Sequence, residues 1–359
     1  MVVSNTKKNR LNWLDVLKGV TVTMVAIHHS YLALLSMSLP YTWIDPILNS
    51  FNYHASHVRM SAFFLSGGII FSFVKGKKTE WFFKKRFPFM VWIILIWTLI
   101  SLASEELGLH LYPWKSFPFF AEGSIFLAPY GNLWFIIALL VVSYFASIVD
   151  RFQTVVKITL ALCFSYTVHL CLTYFPPEQA VNVLLLKNLA YKAIPFFMLG
   201  ALFFKPVLEH SRNIGGVVAS TLAMLLLYAV TNYFFDSNSD YGHLLTKYIP
   251  GTFAFIGIMI LLSHVSVFSK LIGKIGNCSL EIFLMHQFFI ALSTAMITAG
   301  IIDISKDHEK LGVLVFPVLI CIAFVLVTLP LIRPVLFQLP PTGLFEKLRQ
   351  KRLGGMSAK

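Results

Sequence analysis

The sequence predicts an all-α integral membrane protein that crosses the bilayer about ten times, on the grounds of composition, segment length and residue pattern. Of the 359 residues, 57% are hydrophobic and 13% are charged, whereas soluble globular proteins average about 45 to 50% apolar and about 25% charged residues. A membrane-spanning helix needs roughly 20 mostly apolar residues, and stretches of this kind take a little over half of the chain. They lack the apolar and polar alternation of transmembrane β-strands. A soluble enzyme is therefore excluded.

Ten apolar stretches are the predicted spans, and no long linker or internal repeat separates them. They lie near residues 16–38, 58–74, 87–104, 131–149, 154–174, 190–204, 214–235, 249–267, 279–300 and 311–332. The first is expected to be an anchor and not a signal peptide, because no small-residue cleavage site follows it. The chain, 1–359, is thus expected to form one membrane domain with short cytoplasmic tails at about 1–14 and 338–359. Pro195 interrupts the short sixth stretch, and broken helices of this kind often line a cavity.

The distribution of basic residues predicts the orientation of the spans. If the N-terminus is cytoplasmic, 22 of the 29 Lys and Arg residues fall on the cytoplasmic side, as the positive-inside rule requires. They lie in the segments 7–18, 75–86, 151–157, 205–212, 270–274 and 333–359. Both termini are therefore expected in the cytoplasm. The net charge of +13 is mainly a topology signal, so no nucleic-acid partner is expected, while the dense cluster 75–86 is suited to lipid headgroups or an anionic cofactor.

The first span carries the densest set of ionisable residues. Lys18 and His29 are eleven positions apart, which leaves them within roughly 20° of one helical face and about 16 Å apart along the axis. Asp15 precedes Lys18 by three positions and can pair with it, whereas His28 lies about 80° off this stripe. One interpretation is that Asp15 and Lys18 are interfacial anchors and the histidines bond to neighbouring helices. The other is that a buried neutral imidazole serves as a general base.

Four further residues are candidates for contacts with a substrate, namely Arg59, Ser66, Trp134 and His286. Two simpler explanations apply to this group: the small residues after Arg59, Ser66 among them, permit close helix packing, and Trp134 suits the aromatic belt at the membrane surface. The four cysteines lie in or beside apolar segments without paired spacing. They indicate neither a zinc site nor a disulfide framework, and no metal is expected.

Six short blocks occur in order across almost the whole chain. They are Leu14–Gly19 with His29, Phe63–Gly67, Phe82–Pro88, Asn132–Phe135, Ile194–Gly200 and Ser279–His286. In this order they resemble the acyltransferase-3 family of polytopic membrane enzymes. The family's first span has a basic residue, usually Arg, eleven positions before a His, and Lys18 stands in that place here. A second Arg that the family usually has before the third span is missing.

The resemblance implies transfer of an acyl group, most often acetyl from acetyl-CoA, to a hydroxyl of an envelope glycan such as lipopolysaccharide O-antigen. It implies an enzyme of the bacterial cytoplasmic (inner) membrane whose partners are acetyl-CoA, a glycan or lipid-linked sugar, and membrane lipids, with no bound cofactor. The chain ends soon after the tenth span and looks like a stand-alone member. The alternative is a transporter or flippase for an anionic or glycan substrate that uses the same intramembrane charges as a proton relay.

The resemblance also implies residue roles. His29 would be the general base, with His28 as its neighbour, and Lys18 would join Arg86, Lys84 and Lys85 on the phosphates of CoA. Asp15 would hold Lys18. Arg59, Ser66, Trp134 and His286 would then line the substrate site.

Overall fold

A computed structural model describes residues 12–37, 43–106, 133–174, 180–234, 240–302 and 307–337, and every element in these ranges is a helix. The α-helices are α1 (Asn12–Ser36), α2 (Ile44–Ser72), α3 (Lys78–Trp81), α4 (Phe87–Glu106), α5 (Leu133–Val149), α6 (Thr154–Tyr174), α7 (Ala180–Asn188), α8 (Ile194–His210), α9 (Ile214–Phe234), α10 (Asp240–His243), α11 (Ile249–Ser263), α12 (Ser266–Asn277), α13 (Ser279–Thr298) and α14 (Asp307–Leu336). Three π-helical segments, Phe82–Arg86, Leu189–Ala193 and Leu244–Tyr248, precede α4, α8 and α11.

Within the described ranges, eight helical stretches are long and apolar enough to cross a membrane. The helix α5 is apolar but shorter, and α2 covers the second predicted span with a more polar first half. Each of the ten predicted spans overlaps a helix. The predicted all-α polytopic membrane protein is confirmed. The count of ten spans and the cytoplasmic placement of the termini stay predictions, and both predicted tails lie largely outside the described residues.

The π-helical segments share a position relative to proline. Each ends two residues before a proline, which is Pro88, Pro195 or Pro250. A proline has no backbone N–H and its ring clashes with the carbonyl four residues earlier, so a wider turn accommodates it. The prediction that Pro195 interrupts a short span is therefore wrong, because the helix runs continuously over Val183–Phe203. Non-helical backbone angles occur instead at Phe203, three residues before Pro206.

The helix α12 was not predicted, because it is too short and too polar to resemble a span. It lies against the first turns of α1, where glycines let the two backbones touch. A Cβ on Gly276 would lie 1.8 Å from the Asp15 carbonyl oxygen, and one on Gly19 would lie 2.3 Å from that of Ile272. No side chain fits between these backbones, so the glycines hold α12 beside the part of α1 that carries Asp15 and Lys18.

A second close crossing joins α2 and α8. A Cβ on Gly68 would lie 1.9 Å from the Phe197 carbonyl oxygen, and one on Gly200 would lie 2.2 Å from that of Leu65. The small residues that follow Arg59 in the sequence thus do permit close packing of helices. Next to this crossing the core contains a group of aromatic rings from α2, α5 and α13, which includes Phe63, Phe64, Phe135 and Phe283.

An ion-pair network ties the segment before α4 to the turn after α5. The Lys78 and Lys157 ammonium groups lie 2.9 Å and 3.3 Å from the Asp150 carboxylate. Partial burial opposes ionisation of Asp150, but the hydrogen bonds and charges of the two lysines outweigh it and hold the pKa of the carboxyl below its ordinary value. The network fixes the start of the stretch that carries Lys84, Lys85 and Arg86.

Candidate active site

The structure brings together two histidines that are 257 positions apart in the sequence. His29 on α1 and His286 on α13 lie with Nδ1 and Nε2 2.8 Å apart, and their rings stack with centroids 5.1 Å apart. His286 is 1% exposed. The sequence alone placed His286 only in a loose group of substrate candidates, whereas the fold places it directly against the predicted base.

The surrounding hydrogen bonds indicate which ring nitrogens carry protons. His286 donates from Nδ1 to the Ile282 carbonyl, 3.2 Å away, so the neutral ring has its single lone pair on Nε2. The Nδ1 of His29, 2.8 Å from that nitrogen, is then assigned as the donor to it, and the Gln287 side-chain nitrogen lies near the same Nε2 at 3.2 Å. A neutral imidazole that donates from Nδ1 has its lone pair on Nε2. His29 therefore has the tautomer that a general base at Nε2 requires.

The His28 side chain forms its hydrogen bond with a different helix from the one that His29 contacts. It donates from Nδ1 to the side-chain oxygen of Asn52 on α2, 3.1 Å away, and Asn52 in turn donates to the Leu48 carbonyl. The two imidazoles remain neighbours, with ring centroids 5.4 Å apart. His28 is thus bonded to α2 and His29 to α13. Sequence reasoning missed Asn52 and Gln287, since a single polar amide in a helix carries no spacing signal.

The predicted ion pair between Asp15 and Lys18 is present. The two groups are 2.9 Å apart, and both side chains are largely buried. A second pair, Arg333 with Glu281 at 3.0 Å, lies within electrostatic reach of Lys18. The α1 stripe therefore has a cluster of charges at one level and an imidazole pair about 16 Å further along the axis.

The basic residues of the segment Phe82–Arg86 do not act as one group. Lys84 and Lys85 are exposed, and Lys84 pairs with Glu80 at 2.6 Å. Arg86 is half-buried, and its Nε is buried without a hydrogen-bond partner among the described residues. A buried guanidinium N–H that lacks a partner is costly, so Arg86 is the member of this segment most suited to an anionic ligand.

The structure locates Arg59 near the histidines. Its charge reaches the His28 ring, and its Nη1 is buried with no hydrogen-bond partner in the described part of the chain. Ser66, two turns along α2, is buried and donates to the Phe63 carbonyl at 2.7 Å. Arg59 thus has donor capacity towards the histidines, while the Ser66 hydroxyl proton is used within its own helix.

Trp134 is half-buried at the start of α5. Its ring lies edge-on to Phe135, with centroids 6.2 Å apart, and Phe135 contacts Phe283, whose ring is 6.0 Å from that of His286. A row of aromatic rings therefore connects Trp134 to the histidine pair. Asn132, which belongs to the same sequence block, lies outside the described residues.

The described residues contain no group of three or more His, Cys, Asp or Glu side chains that could hold a metal ion. The candidate site consists of the imidazole pair, the two arginines and the Asp15–Lys18 pair. The imidazole pair offers a proton acceptor, and the cationic groups can hold negative charge in two places.

A family model described as an acyltransferase domain, that of the acyltransferase-3 family, matches residues 11–333. Neither a curated protein nor a solved structure matches the chain significantly. The matched range contains the histidine pair, the Asp15–Lys18 pair, Arg59 and Arg86, and it covers most of the sequence. The chain therefore belongs to the acyltransferase-3 family of membrane acyltransferases.

Proposed function

We propose that the protein transfers acetyl from cytoplasmic acetyl-CoA to a hydroxyl of an envelope glycan, such as lipopolysaccharide O-antigen, in the bacterial cytoplasmic (inner) membrane. The family supports acyl transfer in a membrane. The hydrogen bond from His29 to His286 carries the catalytic part of the proposal, because it gives His29 the tautomer of a general base, whereas the donor and the acceptor follow from the resemblance to the family. Acyl transfer to an alcohol needs such a base.

In the reaction, the acceptor hydroxyl oxygen attacks the carbonyl carbon of the thioester while Nε2 of His29 takes the hydroxyl proton. The tetrahedral intermediate then collapses, the carbon–sulfur bond breaks, and the imidazolium of His29 returns the proton to the sulfur of CoA. The products are an acetyl ester and free CoA. His286 acts as a positioning residue, since its Nε2 accepts the Nδ1–H of His29 and stabilises the imidazolium.

Arg59 is the proposed donor to the developing oxyanion. Its Nη1 is buried without a partner among the described residues, and its charge reaches the neighbouring imidazole of His28. A donor that is already desolvated stabilises negative charge more strongly than a hydrated one. Trp134 and Ser66 would line the same space, Trp134 with the face of its ring.

The CoA phosphates are proposed to bind at the other end of α1. Lys18, held by Asp15, and Arg86, with its buried Nε, would supply charge-assisted hydrogen bonds. The exposed Lys84 and Lys85 would attract the anion over a longer range. The separation of about 16 Å between Lys18 and His29 is comparable to the length of a pantetheine arm, so the thioester would reach the imidazole.

The deciding experiment follows radioactive acetyl from acetyl-CoA in membranes that contain the protein. Covalent label in the envelope glycan is the expected result. Movement of glycan across the membrane without covalent label would contradict the proposal and indicate a transporter.

The matched pair His29→Ala and His28→Ala tests the base. His29→Ala should reduce acetylation by about 100-fold to 10,000-fold, the usual contribution of a general base, while His28→Ala should have a milder effect because that ring is bonded to Asn52. Mass spectrometry or NMR of the isolated polysaccharide at matched membrane levels gives the comparison. Normal acetylation in His29→Ala with loss in His28→Ala would transfer the role to His28, and activity in both would eliminate the histidine mechanism.

A further inference from the structure

A second group of polar and aromatic side chains lies between α2, α9 and two of the π-helical segments. We call it the tyrosine–lysine cluster, and it consists of Tyr53, His57, Lys192, Tyr228, Lys247 and Tyr248. The Nδ1 of His57 lies 2.8 Å from the Tyr228 hydroxyl, as does that of His54 at the edge of the cluster. A hydroxyl can accept from one ring and donate to the other, so both histidines are held against Tyr228.

The two lysines contact tyrosine rings. Lys247 donates to the Tyr53 hydroxyl at 3.1 Å and lies 5.7 Å from the centroid of that ring. Lys192 lies 4.9 Å from the centroid of the Tyr248 ring and donates to the Ser56 carbonyl at 3.4 Å. The charges of both lysines reach the His57 imidazole. The cluster thus combines two ammonium groups with aromatic faces.

A short sequence pattern explains why the two lysines meet. The tetrapeptides 192–195 and 247–250 both read Lys, any residue, Ile and Pro, and each lysine lies in the wide turn that its proline imposes. The segments Leu189–Ala193 and Leu244–Tyr248 contact each other, and both contact α2. The same pattern, a lysine in a π-helical turn before a proline, therefore occurs on two neighbouring helices and brings two ammonium groups to one region. π-Helical turns of this kind are frequent at functional sites.

Burial divides the cluster into an accessible part and an inner part. Lys247 is 3% exposed and His57 is 5% exposed, whereas Tyr53 is 47% exposed. An ionisable group inside a membrane helix is expensive and is usually functional. An inner ammonium group can form charge-assisted hydrogen bonds to an anion, and tyrosine combines an apolar face with a polar tip, which suits a sugar ring.

The cluster is adjacent to the candidate active site. Tyr53 follows Asn52, which holds His28, and the charge of Lys192 reaches the His28 ring as well as His57. We infer that the tyrosine–lysine cluster binds the acyl acceptor through an anionic group, so that the acceptor is a sugar that carries a carboxylate or a phosphate. This inference rests on the proposed function, since the bound sugar is taken to be the acyl acceptor.

Binding of three related sugars tests the inference. Glucuronate, glucose 1-phosphate and glucose are titrated into the purified full-length protein in detergent, and saturation-transfer NMR measures each affinity. At least one charged sugar should bind about ten-fold or more tightly than glucose, the effect of one charge-assisted hydrogen bond. Preference for glucuronate would indicate an acidic sugar, and preference for glucose 1-phosphate would indicate a sugar phosphate. Equal binding of all three would overturn the inference.

Variants assign the binding to the cluster. Lys192→Gln and Lys247→Gln should each weaken the charged sugar about ten-fold and leave glucose unchanged, while Lys247→Arg should retain binding. The exposed Lys187 on α7 provides the control, and Lys187→Gln should bind as the wild type does. If Lys247→Gln does not fold, the half-buried Lys192 decides the question alone. Undiminished binding in Lys192→Gln would overturn the inference.

The binding assay needs no acyl donor, so it separates this inference from the proposed function. Charge-selective binding without transfer of label from acetyl-CoA would leave the sugar site standing and contradict the acetyltransferase. If label is transferred but charged and neutral sugars bind equally, the acetyltransferase stands and the inferred sugar site is contradicted.

Discussion

The hydrogen bond between His29 and His286 allows a quantitative prediction. In His286→Ala the Nδ1–H of His29 loses its acceptor at the moment when the ring becomes an imidazolium. A hydrogen bond to a charged group contributes about 1.5 to 3 kcal/mol, and each 1.36 kcal/mol corresponds to about ten-fold in rate. Since the bond is 2.8 Å long and His286 is fully buried, we expect kcat to fall between about 10-fold and 150-fold.

The assay measures initial rates of acetyl transfer in membranes with matched amounts of protein. The KM for acetyl-CoA should stay close to that of the wild type, because the proposed phosphate contacts lie at the opposite end of α1. His286→Gln should recover part of the rate, since a side-chain amide oxygen can also accept the Nδ1–H. His264→Ala, which removes an exposed histidine at the end of α11, is the control and should be neutral.

Two outcomes would refute this reasoning. One is a His286→Ala protein that retains kcat within about two-fold of the wild type. The other is a His286→Gln protein that is no faster than His286→Ala although both unfold at the wild-type temperature, because His286 would then support packing and not the base.

Three further predictions concern other parts of the molecule. Arg86→Ala should raise the KM for acetyl-CoA by about 10-fold to 100-fold, because a charge-assisted contact is lost. Lys77→Ala, in the same basic stretch, should leave this KM unchanged. If both variants change the KM equally, Arg86 contributes only to the orientation of the protein in the membrane and does not bind CoA. Gly276→Ala should destabilise the protein by about 1 to 3 kcal/mol through overpacking. Gly312→Ala is the control and should not destabilise it, because the new Cβ would meet no atom within 4 Å. Thermal unfolding in detergent measures both variants. Reporter fusions at the C-terminus and near Glu105, at the end of α4, should lie on opposite sides of the membrane. Signals from the same side would overturn the predicted orientation.

The helical membrane fold was predictable because it depends on composition and segment length. The Asp15–Lys18 pair was predictable too, since a spacing of three within one helix fixes the contact. The partner of His29 was not, because His286 reaches it only through the packing of α1 against α13. The spacing of residues along α13 predicts which face of that helix carries His286, but it does not predict which other helix packs against that face.

Two other features depend on local rules that hydropathy does not capture. The segment of α12 is short and carries lysines, so it resembles a loop until the glycine contacts with α1 are known. A proline within an apolar stretch, such as Pro195, indicates an interruption, yet whether the helix breaks or widens into a π-helical turn depends on the neighbours that support it. The two lysines in these wide turns, Lys192 and Lys247, were for that reason not recognised as a pair.

The backbone contact between Gly276 and α1 has a mechanical consequence. Because the Gly276 Cα has the Asp15 carbonyl against it, α1 cannot rotate about its axis without displacing α12. That rotation is the movement that would separate His29, which lies about four turns further along α1, from His286 on α13. The contact thereby sets the angular position of the reactive imidazole before any substrate arrives, so α12, a helix of twelve residues, contributes to the geometry of the histidine pair although it contacts α1 only near Asp15 and Gly19.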